Sequence, residues 1–347
     1  MTITVAFIGQ SVGNGMFTVS SAPPVCPANC YMLNRSTYTW GPVTGNGAIA
    51  YAKRLNQVTG QEIRLYNACW DGSSMVSTYA PSWAPNLYWT NMGADGPLAS
   101  FYSQVTSGGY LPQLLELNQG QAEAFSGVFT NANVWVNGAA SMYAAILSHF
   151  GKTPAQMPIT VWTGMRGGVS TSRNMVAAHQ TFSANVAGAK LGISYYDSAC
   201  PDGIHPDATS NQISGARAAV IALSRIGGCG YDDADCGPRI ISADRFAHVI
   251  ILKTTGHPLR VEPWRTLQGF QIWWSDFSGQ AAVADARVID ACTVQLKMSP
   301  ANGNRPWITY HADFGQSGGS AVYDTQDCGF ETIGMPMVPC LSIQSAT

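Results

Sequence analysis

Ser11 has the clearest chemical potential in this sequence, because it stands in a Gly9-Gln10-Ser11 turn directly after a short apolar segment. A serine hydroxyl is a weak nucleophile until a base accepts its proton and donors stabilise the resulting oxyanion. A base with a carboxylate beside it occurs much later, where Asp202 precedes His205 by three residues. On a tight turn, that spacing lets the carboxylate reach the far ring nitrogen of the histidine. These three residues predict nucleophilic catalysis by Ser11.

The elements that must position these residues alternate between strand and helix. Short apolar runs predict strands at 4–8, 62–68, 114–117, 158–162 and 191–196. Apolar periodicity predicts helices at 48–58, 141–150, 173–186 and 210–226, with Thr209 and Gln212 spaced as a capping box for the last one. This alternation is typical of an α/β fold with a doubly wound parallel sheet and helices on both faces.

The predicted sheet brings the three residues together. Ser11 follows the first predicted strand, and Asp202 and His205 follow the last. In such sheets, ligands bind beyond the carboxyl ends of the strands, so both segments are expected on the same rim. A serine in a glycine turn or a lone Asp-x-x-His pair is a weak signal, whereas their joint placement is a much stronger one.

The pattern changes near Cys236. Short strand candidates at 249–252, 270–273, 293–298 and 307–310 are separated by Gly, Pro and Asn. Val294, Leu296 and Met298 alternate with polar residues, which is the period of a half-buried strand. We expect a catalytic domain at 1–230 and a C-terminal antiparallel β-sandwich domain at 237–347, with a linker within 227–237.

Composition and charge exclude some classes of binding partner. Charged residues make up 11% of the 347 residues and the net charge is −2, without a long basic run, so nucleic acid is not an expected partner. No stretch of 18 apolar residues predicts a membrane span. The first nine residues lack the basic segment and cleavage site of a signal peptide. We expect an extracellular or virion-associated protein without a classical signal peptide, with a cytoplasmic location as the alternative.

Nine cysteines leave at least one thiol unpaired. The neighbouring pairs 26/30, 229/236 and 328/340 are spaced to close short loops in an oxidising compartment. No CxxC pair occurs and no histidine stands at ligand spacing beside a cysteine, so no metal site is expected.

Four segments resemble the conserved blocks of the SGNH (GDSL-like) hydrolases, in the right order over about residues 5 to 210. Gly9-Gln10-Ser11 and the segment 202–206 are similar to the first and last blocks, and the glutamine points to the sialate O-acetylesterase-like branch of carbohydrate acetylesterases, with a phage-type member as one option. The segment 67–73 resembles the second block. Asn118-Gln119-Gly120-Gln121 resembles the third, which commonly reads Gln-Gly-Glu.

The resemblance implies a flavodoxin-like hydrolase fold, a role for each residue and no cofactor. Ser11 would attack an ester carbonyl, His205 would accept its proton, and Asp202 would orient His205. The oxyanion would be held by the backbone N–H groups of Ser11 and Gly72 and by the side-chain amide of Gln119.

Two positions in the third block leave alternatives open. Asn118 is a second candidate for the amide donor in place of Gln119. Gln121 stands where the family usually has glutamate, and Glu123 is close enough in sequence to replace that carboxylate.

The insert at 73–111 is rich in aromatic residues and follows Gly72 directly. Tyr79, Trp83, Tyr88 and Trp89 are candidates for stacking on a sugar, or for packing a small core of the insert. His179 lies in an apolar helix, where a packed or surface histidine is the simpler reading.

The expected function is removal of O-acetyl groups from a polysaccharide through an acyl-enzyme. The competing hypothesis is a non-catalytic glycan-binding or structural component of a virion or phage tail, with other tail proteins as partners. The low charge and Gln121 motivate this second hypothesis.

Overall fold

The computed structural model describes residues 2–20, 23–126, 129–163, 172–195, 197–226, 237–261, 267–274, 279–299, 306–310 and 340–344. Within these ranges, an α/β region is followed by an antiparallel β region. The predicted order of an α/β part and then an antiparallel part is therefore confirmed.

The first sheet has seven strands in the order β3-β2-β4-β1-β5-β6-β7. Its strands are β1 (Thr2–Gly9), β2 (Cys30–Leu33), β3 (Trp40–Pro42), β4 (Glu62–Cys69), β5 (Leu114–Asn118), β6 (Ile159–Thr163) and β7 (Ala189–Ser194). Strand β1 is central and pairs in parallel with β4 and β5. The edge strand β3 runs antiparallel to β2, whereas the other neighbouring strands are parallel.

Helices cover both faces of this sheet. They are α1 (Ser11–Gly15), α2 (Asn46–Thr59), α3 (Pro97–Gly108), α4 (Gln121–Phe125), α5 (Ala132–Phe150), α6 (Ser172–Asn185) and α7 (Ala208–Ile226), and a 3₁₀ turn spans Ser77–Tyr79. Alternate residues of β1 serve opposite faces: Val5 and Phe7 pack toward α2 and α7, whereas Ala6 and Ile8 pack toward α3, α5 and α6. Because both faces are buried, β1 is apolar along most of its length.

Several elements differ from the sequence prediction. Strands β2 and β3 and helices α3 and α4 were not predicted, and α5 begins well before position 141. The predicted capping box is wrong, because α7 begins at Ala208 and the Asp207 carboxylate accepts a hydrogen bond from Ser210 N at 2.7 Å. Asp207 is thus the residue that caps α7.

The second sheet is also seven-stranded, in the order β14-β13-β10-β11-β12-β9-β8. Its strands are β8 (Arg239–Phe246), β9 (Val249–Thr255), β10 (Phe270–Trp274), β11 (Gly279–Asp290), β12 (Thr293–Ser299), β13 (Trp307–Tyr310) and β14 (Cys340–Gln344). Val294, Leu296 and Met298 are buried, as their alternation predicts. The described strands form one nearly closed antiparallel sheet, since β14 lies beside β8, and its division into the two layers of a sandwich stays a prediction. Alternation identifies the buried face but does not determine how a sheet closes.

The change in architecture falls between α7 and β8. Residues 227–236, where we placed the linker, lie outside the described residues, so the domain bounds 1–230 and 237–347 stay a prediction. None of the helices in the described ranges is long and apolar enough to cross a membrane. Cys26 and Cys30 carry free thiols, whereas Cys229, Cys236 and Cys328 lie outside the described ranges.

Glu116 is a carboxylate buried inside the first sheet. It accepts hydrogen bonds from the Tyr51 hydroxyl at 2.8 Å, the Trp162 indole N–H at 2.7 Å and the Thr160 hydroxyl. Burial outweighs these donors and raises the pKa of Glu116 from an ordinary 4.5 to about 7. The folded chain therefore holds a proton at this site between about pH 4.5 and 7 that the unfolded chain releases.

The sign of this shift predicts a loss of stability as pH rises. Glu116 is favourable in its neutral form, so its contribution is present below pH 4.5 and disappears as pH rises through 7. The shift from 4.5 to about 7 corresponds to up to about 3 kcal/mol. Urea unfolding at pH 5, 6, 7 and 8 should show a smaller decline for Glu116→Gln than for the parent. Parallel declines in the two proteins would contradict this account.

Candidate active site

The turn after β1 is possible only for glycine at position 9. Gly9 has a φ of +131°, and a Cβ atom there would lie 2.1 Å from the carbonyl oxygen of Asn118, its register partner on β5. The Gln10 N–H donates to the same oxygen at 2.9 Å. Close contact with β5 thus fixes the turn, and Ser11 follows as the first residue of α1.

His205 and Asp202 meet Ser11 at this rim of the sheet. The Ser11 hydroxyl lies 2.9 Å from His205 Nε2, and His205 Nδ1 lies 2.7 Å from Asp202 Oδ2. The other carboxylate oxygen of Asp202 accepts the backbone N–H groups of Ile204 at 2.9 Å and of His205 at 2.7 Å. Residues 194 positions apart in the chain are thus in hydrogen-bond contact.

The charge of Asp202 is stabilised by its neighbours. The ring N–H of His205 and the backbone N–H groups of His205 and Ile204 hold the pKa of Asp202 well below its usual range. An ionised Asp202 favours the ring tautomer with the proton on Nδ1, in which Nε2 accepts a hydrogen bond from the Ser11 hydroxyl.

A loop after β4 lies against the Gly9 turn. The Gly9 carbonyl oxygen accepts hydrogen bonds from Trp70 N at 2.9 Å, the Ser73 hydroxyl at 3.0 Å and Trp89 Nε1 at 3.1 Å. Gly72, between Trp70 and Ser73, has a φ of +72°. Within the described part of the chain, neither Ser11 N nor Gly72 N donates a hydrogen bond to another residue.

Gln119 and Asn118, the two amide candidates, face different surroundings. Gln119 is fully buried: its Nε2 donates to Ser73 O at 2.8 Å and its Oε1 accepts Trp135 Nε1 at 3.0 Å. The Gln119 side-chain amide also hydrogen-bonds the carboxylate of Glu123. Asn118 Oδ1 accepts Gln121 Nε2 at 2.9 Å, and its Nδ2 has no partner among the described residues.

Glu123 is the buried carboxylate nearest this loop. Its Oε1 accepts the backbone N–H of Met75, two residues beyond Ser73. Burial raises the pKa of Glu123 to about 7. Gln121 instead donates from Nε2 to Asn118 and, at 2.6 Å, to the Tyr195 hydroxyl.

His179 supports Gln119 from behind. Its side chain is fully buried, its Nε2 lies 2.8 Å from the Gln119 carbonyl oxygen, and its ring meets Trp135 edge-on at 4.8 Å. Burial lowers the pKa of His179 to about 4, so its ring is neutral at physiological pH. This histidine is a packed core residue, as its place in an apolar helix suggested.

The four aromatic residues predicted to stack on a sugar differ in the solvent exposure of their side chains. Trp89 is fully buried and donates to Gly9 O and Ser73 Oγ, which corrects its assignment as a sugar contact. Tyr79 is half-buried with its ring edge-on to Phe129, and Tyr88 is half-buried beside Ser74. Trp83 is 73% exposed, and a Cβ atom on Gly72 would lie 3.0 Å from its ring.

A cavity of about 380 Å³ opens beside the Ser11 hydroxyl. Ser11 and His205 line it together with Asn14, Asp71 and Asp207. Asn14 Nδ2 donates to Asp71 at 3.0 Å, which ties α1 to the loop that contains Gly72. A larger cavity of about 560 Å³ is lined by β10, β11 and the residues just before β10, and its described walls include no serine, cysteine or histidine.

Sequence reasoning missed several residues of this site. Ser73 and Met75 hold the Gly72 loop through their backbone, and Gln10 Oε1 accepts the N–H of Ala122 at 3.1 Å. Any residue type can make such backbone hydrogen bonds, so the sequence does not show which residues make them. Asp71 had a signal in the sequence, since it directly precedes the candidate donor Gly72, and it lines the same cavity as Ser11.

No protein-family model matches the chain, and no curated protein is similar enough to count as a relative. Among solved structures, a carbohydrate acetylesterase from Xanthomonas citri has a TM-score of 0.68 at 17% identity, covering 97% of this chain and 79% of that one. The likeness shows a shared fold that extends over the antiparallel region as well.

Two other solved structures are less similar. A protein from Arabidopsis thaliana has a TM-score of 0.48 at 11% identity, covering 65% of this chain and 99% of that one. A family two carbohydrate esterase from Clostridium thermocellum has a TM-score of 0.42 at 12% identity, covering 65% of this chain and 64% of that one.

Replacing the two tryptophans should separate the structural ring from the exposed one. Trp89→Phe keeps an aromatic ring but removes the N–H that Gly9 O and Ser73 Oγ accept, at a cost of about 1–3 kcal/mol in unfolding free energy. The same change at Trp83, which is exposed, should stay within about 0.5 kcal/mol. Urea titrations of both variants test this, and equal losses would refute the assignment.

Proposed function

We propose that this chain is a serine esterase with an SGNH hydrolase-like fold that removes O-acetyl groups from a carbohydrate. The main support is the pair of hydrogen bonds that His205 makes, from Nε2 to the Ser11 hydroxyl at 2.9 Å and from Nδ1 to the Asp202 carboxylate at 2.7 Å. The fold shared with a carbohydrate acetylesterase supports the acetylated sugar as substrate class.

In this mechanism, Ser11 Oγ attacks the ester carbonyl while His205 Nε2 accepts the hydroxyl proton. The ionised Asp202 stabilises the imidazolium that forms and keeps its orientation. The tetrahedral intermediate collapses when its bond to the sugar oxygen breaks and His205 gives the proton to that oxygen, which leaves as a hydroxyl. Water, activated by the same histidine, then releases acetate from the acyl-enzyme.

The oxyanion is held by Ser11 N, Gly72 N and the side-chain amide of Gln119. Gln119 Nε2 lies 2.8 Å from the carbonyl of Ser73, the neighbour of Gly72, which supports its place at this loop. Asn118 Nδ2, which has no partner among the described residues, is the alternative amide donor. A sugar ring would stack on Trp83, since the exposed ring of this residue adjoins Gly72.

A Ser11→Ala variant tests the nucleophile. Removing the hydroxyl should reduce hydrolysis of an aryl acetate by about 10⁴-fold or more, with an unchanged thermal unfolding midpoint. A fluorophosphonate probe should label the parent at Ser11 and leave Ser11→Ala unlabelled, as read by mass spectrometry of the tryptic peptide. A folded parent that neither reacts with the probe nor releases acetate would favour a glycan-binding protein without catalysis.

Variants of the third block test the amide donor. Gln119→Ala should lower kcat by about 100- to 1000-fold, whereas Asn118→Ala should change it far less. Because Gln119 also accepts a hydrogen bond from Trp135, the variant Trp135→Phe is the matched control for lost packing. If Trp135→Phe loses as much kcat as Gln119→Ala, or if Asn118→Ala shows the larger loss, the assignment of Gln119 fails.

A further inference from the structure

A second cavity adjoins the one at Ser11. It has a volume of about 290 Å³ and shares Asn14 and Thr18 with the Ser11 cavity, so the two are neighbouring parts of one groove. Its remaining walls are Phe17, Met32, Leu33, Asn34, Arg35 and Asn67. A groove with two adjoining compartments has room for more than one unit of a polymer.

The two compartments carry opposite charge. Asp71 and Asp207 line the Ser11 cavity, and its described walls include neither lysine nor arginine. Arg35 is the charged residue in the walls described for the second cavity. A negatively charged sugar is therefore disfavoured next to Ser11 and favoured one compartment away.

The Arg35 guanidinium is held in place. Its Nη1 donates to the Cys69 carbonyl at 3.0 Å, and its Cζ lies 5.4 Å from the centroid of the Trp70 ring. The carbonyl contact occupies one of five N–H donors, and a planar guanidinium fixed in this way is suited to bidentate binding of a carboxylate.

The sheet order sets the distance between the two compartments. Arg35 follows β2, and β4 separates β2 from β1, whose end leads into Ser11. Two strand spacings amount to about 10 Å across the sheet. A carboxylate bound by Arg35 would therefore belong to a different unit of the polymer from the acetylated one.

We propose that the second cavity binds a carboxylate-bearing sugar, so that the substrate is an acidic polysaccharide with an uncharged acetylated unit beside a uronic acid. This inference rests on the proposed esterase function and narrows its substrate. Arg35 determines the preference for an acidic over an uncharged polysaccharide, because it binds the carboxylate of the uronic acid.

The experiment uses an O-acetylated glucuronoxylan oligosaccharide and the same material after chemical reduction of its carboxyl groups to alcohols. For the parent, kcat/KM for acetate release should be about tenfold to a hundredfold higher on the acidic form, mainly through KM. Arg35→Gln should remove this difference. Lys53→Gln is the matched control, because Lys53 is an exposed cation on α2 outside both cavities and its loss should keep the difference.

Each outcome has a defined meaning. Equal kcat/KM on the two forms, or equal losses on both in Arg35→Gln, would overturn the proposal and leave Arg35 as a brace for the Cys69 and Trp70 segment. Hydrolysis of an aryl acetate without acetate release from either glycan would also overturn it. Failure on the aryl acetate too would instead remove the proposed esterase function.

Discussion

The close contact between Gly9 and Asn118 is the constraint on which the rest of the site depends. With no Cβ, Gly9 approaches the β5 backbone at a φ of +131°, and its carbonyl is turned toward the loop after β4. Three donors meet that carbonyl, from Trp70, Ser73 and Trp89. One backbone group therefore joins the first strand, which presents Ser11, to the loop that presents Gly72. Any side chain at position 9 would push the first strand and the Gly72 loop away from β5.

The groups that hold this arrangement are buried polar side chains. Gln119 connects Ser73 to Trp135, and His179 supports Gln119 from behind in its neutral form. Such groups are stabilising only when their hydrogen bonds are made, because an unpaired polar atom in the interior is costly. The relay of Asp202 and His205 differs, since it lies at the surface and depends on local geometry: the backbone N–H groups of the same turn hold the carboxylate that orients the ring.

Sequence predicted the elements that carry a strong period and missed those that lack one. Apolar runs predicted β1 and the strands that bring Ser11 and His205 to one rim, because a strand buried on both faces is apolar along most of its length. Helix α3 had readable signals, with Pro97 at its first turn and Gly109 after its end, but the aromatic residues around it drew attention to ligand binding. Trp89 was misassigned for the same reason. Only the fold shows that its N–H is used inside the protein, whereas the ring of Trp83 is free.

A glutamine at position 121 avoids a further buried carboxylate in this segment. Glu116 and Glu123 are both buried, and burial raises the pKa of each to about 7. A third carboxylate, at position 121, would add another desolvation cost, and the described residues in contact with that side chain include no cation to offset it. Gln121 makes two hydrogen bonds, to Asn118 and Tyr195, without a charge. The carboxylate expected from the family resemblance is instead found at Glu123, where the Met75 N–H gives it a backbone donor beside the Gly72 loop.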